Sequence, residues 1–192
     1  DRRGRAFYTA GGSDFPALRN LDNGPFLVIA AEAALAKLEK GKADELFSRW
    51  RDGLIKGLDC LPVKNGLIFN DPEKPHSPYG FTDCICKTGF LSMESVLLWR
   101  AFRLLRSRGV EGLDKRISDI EQNLSPNLSC DKTGMLLGGT VDCRQIDVWA
   151  SCFAISAGFP LSAEQKENIA DWIANNYDDL VEYGQLRHTE PG

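Results

Sequence analysis

Seven acidic residues, Asp14, Asp22, Asp71, Asp83, Asp142, Asp147 and Glu190, fall in or beside segments that read as loops. Two carboxyl groups can divide hydrolytic work, one giving a proton to a leaving oxygen while the other activates water or attacks. Asp22, Asp83 and Asp147 are spaced 61 and 64 residues apart. Each precedes a segment that reads as an apolar helix, where an acidic side chain satisfies orphan N–H groups and complements the dipole. Capping alone therefore explains these three as well as chemistry does. The dipole also favours the ionised form, so any of them that acts is read as a base or a hydroxyl acceptor. Glu190 lies away from a helix start and is the acid candidate. Asp83, Asp147 and Glu190 form the candidate catalytic set. Asp22, Asn23, Tyr79, Phe81, Trp149, Arg187 and His188 are the candidate ligand contacts. Aromatic faces can stack on a ligand, although aromatics more often fill cores. Arg187, His188 and Glu190 make a polar cluster suited to hydroxyls or carboxylates, or simply an exposed polar loop. His76, between Pro75 and Pro78, reads as loop.

The elements that would position these groups come in three helical pairs. The first helix spans about Pro25 to Lys40, with Asn23 as N-cap, and is apolar on nearly every side, which implies burial all round. Its partner, about Asp44 to Leu58, carries Leu46, Trp50, Leu54 and Leu58 at helical spacing. The second pair begins with a long helix from Asp83 to Arg106 that stops at Gly109. Val110, Leu113, Ile117, Ile120 and Leu124 mark its partner, closed by Pro126. The third pair begins near Gln145 and stops at Gly158. Ser162-Ala-Glu-Gln165 then has the pattern of a capping box opening a helix with Ile169, Trp172, Ile173, Asn176 and Leu180 on one side. Trp50, Trp99 and Trp172 lie mid-helix and are assigned to packing. Links within pairs are short and links between pairs, 60–82 and 125–144, are long. Short links make neighbours antiparallel, so the long loops gather at one end, where the first helix of each pair starts. Lys64-Asn65-Gly66 beside Leu67-Ile68-Phe69, Asn70-Asp71-Pro72 and Leu137-Gly138-Gly139 predict short β-hairpins there.

The bulk numbers fit one globular domain over 1–192: 43% hydrophobic, 26% charged and a net charge of −4. That charge lends no support to nucleic-acid or anionic-membrane binding, and no apolar run is long enough to span a bilayer. Six cysteines, at 60, 84, 86, 130, 143 and 152, show no CxxC pair. They read as reduced, buried thiols, which favours a cytoplasmic setting. No His/Cys/Asp grouping has metal-site spacing and no dinucleotide or P-loop fingerprint is present, so neither metal nor cofactor is expected. The chain opens at Asp1 without a methionine, and an N-terminal portion is expected to have been removed or left out.

Tyr79-Gly-Phe-Thr-Asp83 continuing into Cys-Ile-Cys-Lys-Thr-Gly89, Asp147-Val-Trp-Ala-Ser-Cys-Phe-Ala154 and Gly184-Gln-Leu-Arg-His188 resemble successive loop-to-inner-helix junctions. The proteins they resemble are uncharacterised members of the six-hairpin glycosidase superfamily. With Gly11-Gly-Ser-Asp14 and Leu21-Asp-Asn-Gly24 the resemblance covers nearly the whole chain. It implies an all-α protein, an α/α-toroid of which three of six hairpins are present, forming the C-terminal portion of a longer catalytic domain. It also implies a sugar-binding cleft at the inner helices' N-terminal end and hydrolysis of glycosidic bonds by loop carboxylates. Three pairs leave two open edges, so a second copy or the missing half is the expected partner. Two alternatives stand beside this reading. One is a toroid of the terpene cyclase or prenyltransferase type, whose Asp-rich run or zinc ligands are absent. The other is a non-catalytic helical-repeat scaffold, which would bind through a concave helix face rather than long loops.

Overall fold

The computed structural model describes residues 7–8, 13–14, 20–76, 85–182 and 184–189. A two-stranded ribbon, β1 (Phe7–Tyr8) and β2 (Ser13–Asp14), comes first. The helices α1 (Asn23–Leu35) and α2 (Lys40–Asp59) follow. The connection after α2 carries β3 (Val63–Lys64), β4 (Leu67–Asn70) and β5 (Gly89–Phe90), an antiparallel sheet in that order. The β3–β4 hairpin turns on Asn65 and Gly66, both at positive φ, the pair that a two-residue turn of this kind prefers. Then come α3 (Ser92–Ser107), α4 (Asp114–Leu128), α5 (Val148–Ser156), α6 (Ala163–Asn175) and the short α7 (Tyr177–Leu180). The described chain ends in the ribbon β6 (Val181–Glu182) and β7 (Gln185–Leu186).

The pairs are α1/α2, α3/α4 and α5/α6, and α3 packs against both α1 and α5, so the first helices of the pairs lie side by side. Burial follows this order. In α3, eleven of sixteen residues are buried, from Ser92 through Leu105. Trp99 packs edge-on against Phe159 at 5.0 Å and donates its indole N–H to Glu121. The hairpin expected at Lys64-Asn65-Gly66 is β3–β4, whereas Asn70 ends β4 and its partner Gly89 is not joined to it by a short turn. Leu137-Gly138-Gly139 lies in 129–147, which carries isolated bridges, Ser129 to Leu136 and Leu137 to Ile146. Among the described residues no helix is long and apolar enough to cross a membrane.

Several expected features differ. The helix expected from Asp83 begins at Ser92, because Gly89–Phe90 forms β5 and pairs with β4, and 86–88 before it is not helical. Cys86 therefore lies on a loop, not a helix. α1 is not buried all round: Pro25, Val28 and Leu35 are buried, but Leu27 is 57% exposed, since α2 and α3, which pack against α1, leave part of its surface uncovered. In α2 the buried stripe is Ala43, Phe47, Leu54 and Leu58, which leaves Trp50 partly exposed. α4 runs past Pro126 to Leu128, since a proline in the last turn forfeits a single backbone bond. Ser162 accepts from the Gln165 N–H as expected, but the Gln165 side chain reaches Ser129 and Gly134 rather than returning to the cap. The five described cysteines are free thiols, yet none is fully buried, and Cys60 and Cys86 are exposed.

Candidate functional site

Asp147 sits at the N-cap of α5 and, as expected, accepts from the Ala150 N–H through Oδ1 at 2.8 Å. Its other oxygen does more. Oδ2 lies 2.7 Å from Lys87 Nζ and 2.9 Å from His188 Nε2, and those two nitrogens are 2.8 Å apart. Three ionisable groups thus meet in one compact triangle, with Lys87 and Asp147 fully buried and His188 8% exposed. Three segments are drawn together by it. Lys87 comes from the stretch before β5, where its carbonyl accepts from the buried Asn70 side chain. His188 comes from the stretch after β7, aligned by the Asp147–Thr189 bridge and by the Val148 N–H donating to the His188 carbonyl. Burial alone would raise the Asp147 pKa. The His188 hydrogen bond and the Lys87 charge outweigh it and hold the carboxyl below its ordinary 3.8.

Trp149, the first residue beyond Val148 in α5, stacks on His188 with ring centroids 4.8 Å apart and planes 13° apart. Its indole N–H donates to the Leu186 carbonyl at 3.2 Å. Thr88, next to Lys87 in the chain, donates to Asp142 Oδ2 at 2.6 Å. Gly89 has φ +82, and a Cβ there would fall 2.2 Å from Thr140 Oγ1, so the turn into β5 admits no larger residue.

The first turn of α3 holds Glu94, which is fully buried. Neither of its carboxyl oxygens, nor Ser92 Oγ, has a hydrogen-bond partner among the described residues. Burial raises the Glu94 pKa above its ordinary 4.5. Lys87 and its own backbone amide work against that rise, while Asp147 and Asp22 add to it. All four groups therefore share one electrostatic neighbourhood, at the starts of α1, α3 and α5. Asp22 immediately precedes α1 but does not cap it through its side chain. Among the described residues no group of three or more His, Cys, Asp and Glu could hold a metal ion. Beside Asp147 and His188 the Lys87 ammonium already takes the place a cation would have.

The structure thus brings Asp147, Trp149 and His188 together and sets Asp22, with Asn23 beside it, at the same end. Arg187 is exposed, its N–H donating to the Leu180 carbonyl. Tyr79, Phe81, Asp83 and Glu190 lie outside the described residues. Two members of the cluster, Lys87 and Glu94, are absent from the sequence-based set. Their signal was a single charge in an otherwise uncharged stretch: Lys87 between Cys86 and Thr88, and Glu94 within Gly89-Phe-Leu-Ser-Met-Glu-Ser-Val-Leu-Leu-Trp99.

No protein-family model matches the chain. No curated protein matches it either. Solved structures do, and among them is a rhamnosidase from Klebsiella oxytoca with rhamnose bound. The match covers 88% of the present chain with a TM-score of 0.61 and 16% sequence identity. The fold is glycosidase-like. Its mostly helical order, with small antiparallel sheets in the loops, is consistent with part of an α/α-toroid. The chain spans 33% of the length of that rhamnosidase chain.

Proposed function

We propose that this is a carbohydrate-active protein whose ligand is received at the end of the fold where α1, α3 and α5 begin, and that it belongs to a glycoside-hydrolysing unit. The observation that carries the reading is a division of labour between neighbouring carboxyl groups. Asp147 is held ionised, Glu94 is held towards its protonated form, and both stand at the starts of adjacent inner helices in a glycosidase-like fold. Cleavage of a glycosidic bond needs one carboxyl that can donate a proton beside another that is charged. Glu94 is of the first kind, whereas the charge on Asp147 is spent on holding Lys87 and His188.

Within this reading Asp147 acts as a positioning carboxylate. One of its oxygens is committed to the helix cap and the other to Lys87 and His188, which leaves little capacity to activate water. It fixes His188 and, through the ring stack, Trp149. Trp149 is only partly buried and is proposed to border the sugar. Asp83 remains the proposed group for activating water or attacking the anomeric carbon; Glu190, read from the sequence as the acid, is the second candidate for that role. Asp22, Asn23, Tyr79, Phe81 and Arg187 are proposed hydroxyl or ring contacts. A purely scaffolding role would leave a buried, unbonded carboxyl with no purpose at a cost of about 1–3 kcal/mol.

The test is a panel of nitrophenyl glycosides, rhamnosides included, assayed for nitrophenol release. Turnover of at least one member above the uncatalysed rate is expected. No release from any member, together with no sugar binding, would leave the fold without this function.

A further inference from the structure

We propose that Glu94, enclosed in the first turn of α3 with neither carboxyl oxygen hydrogen-bonded among the described residues, is the group that protonates the leaving oxygen of a bound glycoside. The assignment rests on the carbohydrate reading above and moves the acid role from Glu190 to a residue within the helix.

Asp147 shows how this fold treats a carboxylate whose work is structural. It is surrounded by donors, from Ala150, Lys87 and His188. Glu94 stands in the same neighbourhood, equally buried, and no other described residue donates to it, its own backbone N–H being the donor that acts on its carboxyl. A buried polar group left unbonded points to an occupant or a chemical role. A neutral carboxyl can offer one O–H and accept at its other oxygen, which suits an ether oxygen flanked by hydroxyls.

The charged groups around it act in both directions. Lys87, from the segment before β5, favours the carboxylate, whereas Asp147 at α5 and Asp22 at α1 favour the acid. Burial is the largest of these influences and raises the pKa above its ordinary 4.5. Cys143 also lies within reach of the Glu94 charge. In the step itself the Glu94 O–H proton passes to the glycosidic oxygen as the bond from that oxygen to the anomeric carbon breaks, and the alcohol departs. Water then adds to the anomeric carbon, and its surplus proton leaves through the second carboxylate and solvent to restore the acid. The whole turnover consumes one water and no net proton. Since Glu94 is 0% exposed, the leaving oxygen must enter that end of the fold to meet it.

The experiment compares wild type with Glu94→Gln on two substrates, a nitrophenyl glycoside and its alkyl counterpart. Nitrophenolate departs without protonation, whereas an alkoxide does not. The expected result is a loss of roughly 100-fold or more in kcat/KM for the alkyl glycoside. The loss on the nitrophenyl glycoside should be much smaller, and the high-pH limb of the profile should flatten. Equal losses on both substrates, or no loss, would overturn the assignment. Difference infrared spectra at neutral pH supply a readout independent of turnover. Wild type should show a protonated carboxyl band that Glu94→Gln lacks, and its absence would overturn the proposal even if no glycoside were cleaved. A protein that shows the band but cleaves nothing overturns the acid role through the carbohydrate reading on which it rests, with the protonation state itself intact.

Discussion

Lys87→Met is expected to destabilise the fold by about 3–5 kcal/mol, because it leaves a buried carboxylate without its cation. The ammonium lies 2.7 Å from Asp147 Oδ2 and both side chains are 0% exposed, so water cannot take over. Methionine fills much the same volume, which separates the loss of charge from the opening of a cavity. The double variant Lys87→Met/Asp147→Asn should recover much of the loss. Asparagine keeps an acceptor for the Ala150 N–H and is itself a good N-cap. The pH dependence has a definite sign. The folded Asp147 pKa is depressed below its ordinary 3.8, so its contribution is present above that value. It is lost as the pH falls through the depressed folded value. Urea denaturation across pH, read at constant m, checks both effects. Wild-type stability in Lys87→Met would mean that Asp147 draws no benefit from the pair.

Asp83→Asn is expected to lower glycoside turnover by roughly 100- to 10,000-fold while leaving the melting transition almost unchanged. Asparagine is nearly isosteric with aspartate, so the substitution removes charge and little else. The structure sharpens this test. A carboxylate capping the central inner helix would confound activity with stability, but α3 begins at Ser92 with Leu91 at its N-cap and no side-chain cap among the described residues. A loss of activity therefore cannot be traced to an uncapped α3. Unchanged turnover would remove Asp83 from the chemistry and leave Glu190 as the remaining proposed base. Parallel assay and thermal melts of the two proteins decide the matter.

The helical pairs were legible because their apolar spacing is strongly periodic and because short and long links alternate. Their boundaries were less so where tertiary pairing overrode local pattern. The run from Cys84 to Phe90 has nothing that forbids helix, yet Phe90 and Gly89 pair with Phe69 and Asn70 of a strand about twenty residues earlier. α1 looked buried from its composition, but burial depends on how many neighbours a helix has, which its own residues do not encode. The same limit hid the centre of the site. Asp147 and His188 were visible as a helix cap and a polar loop. Their meeting depends on a bridge between Asp147 and Thr189. Lys87 and Glu94 read as ordinary charges, since only the packed structure shows both at 0% exposure and one of them without a hydrogen bond among the described residues.

The central claim, that sugar is received where α1, α3 and α5 begin, is tested most directly by titrating isotopically labelled protein with rhamnose and other monosaccharides while recording amide chemical shifts. The account predicts saturable shifts at Asn23, Glu94, Val148 and His188, with Leu35, Ser107 and Ser156 at the opposite helix ends unmoved. Shifts confined to those opposite ends, or none at any sugar concentration reached, would contradict it.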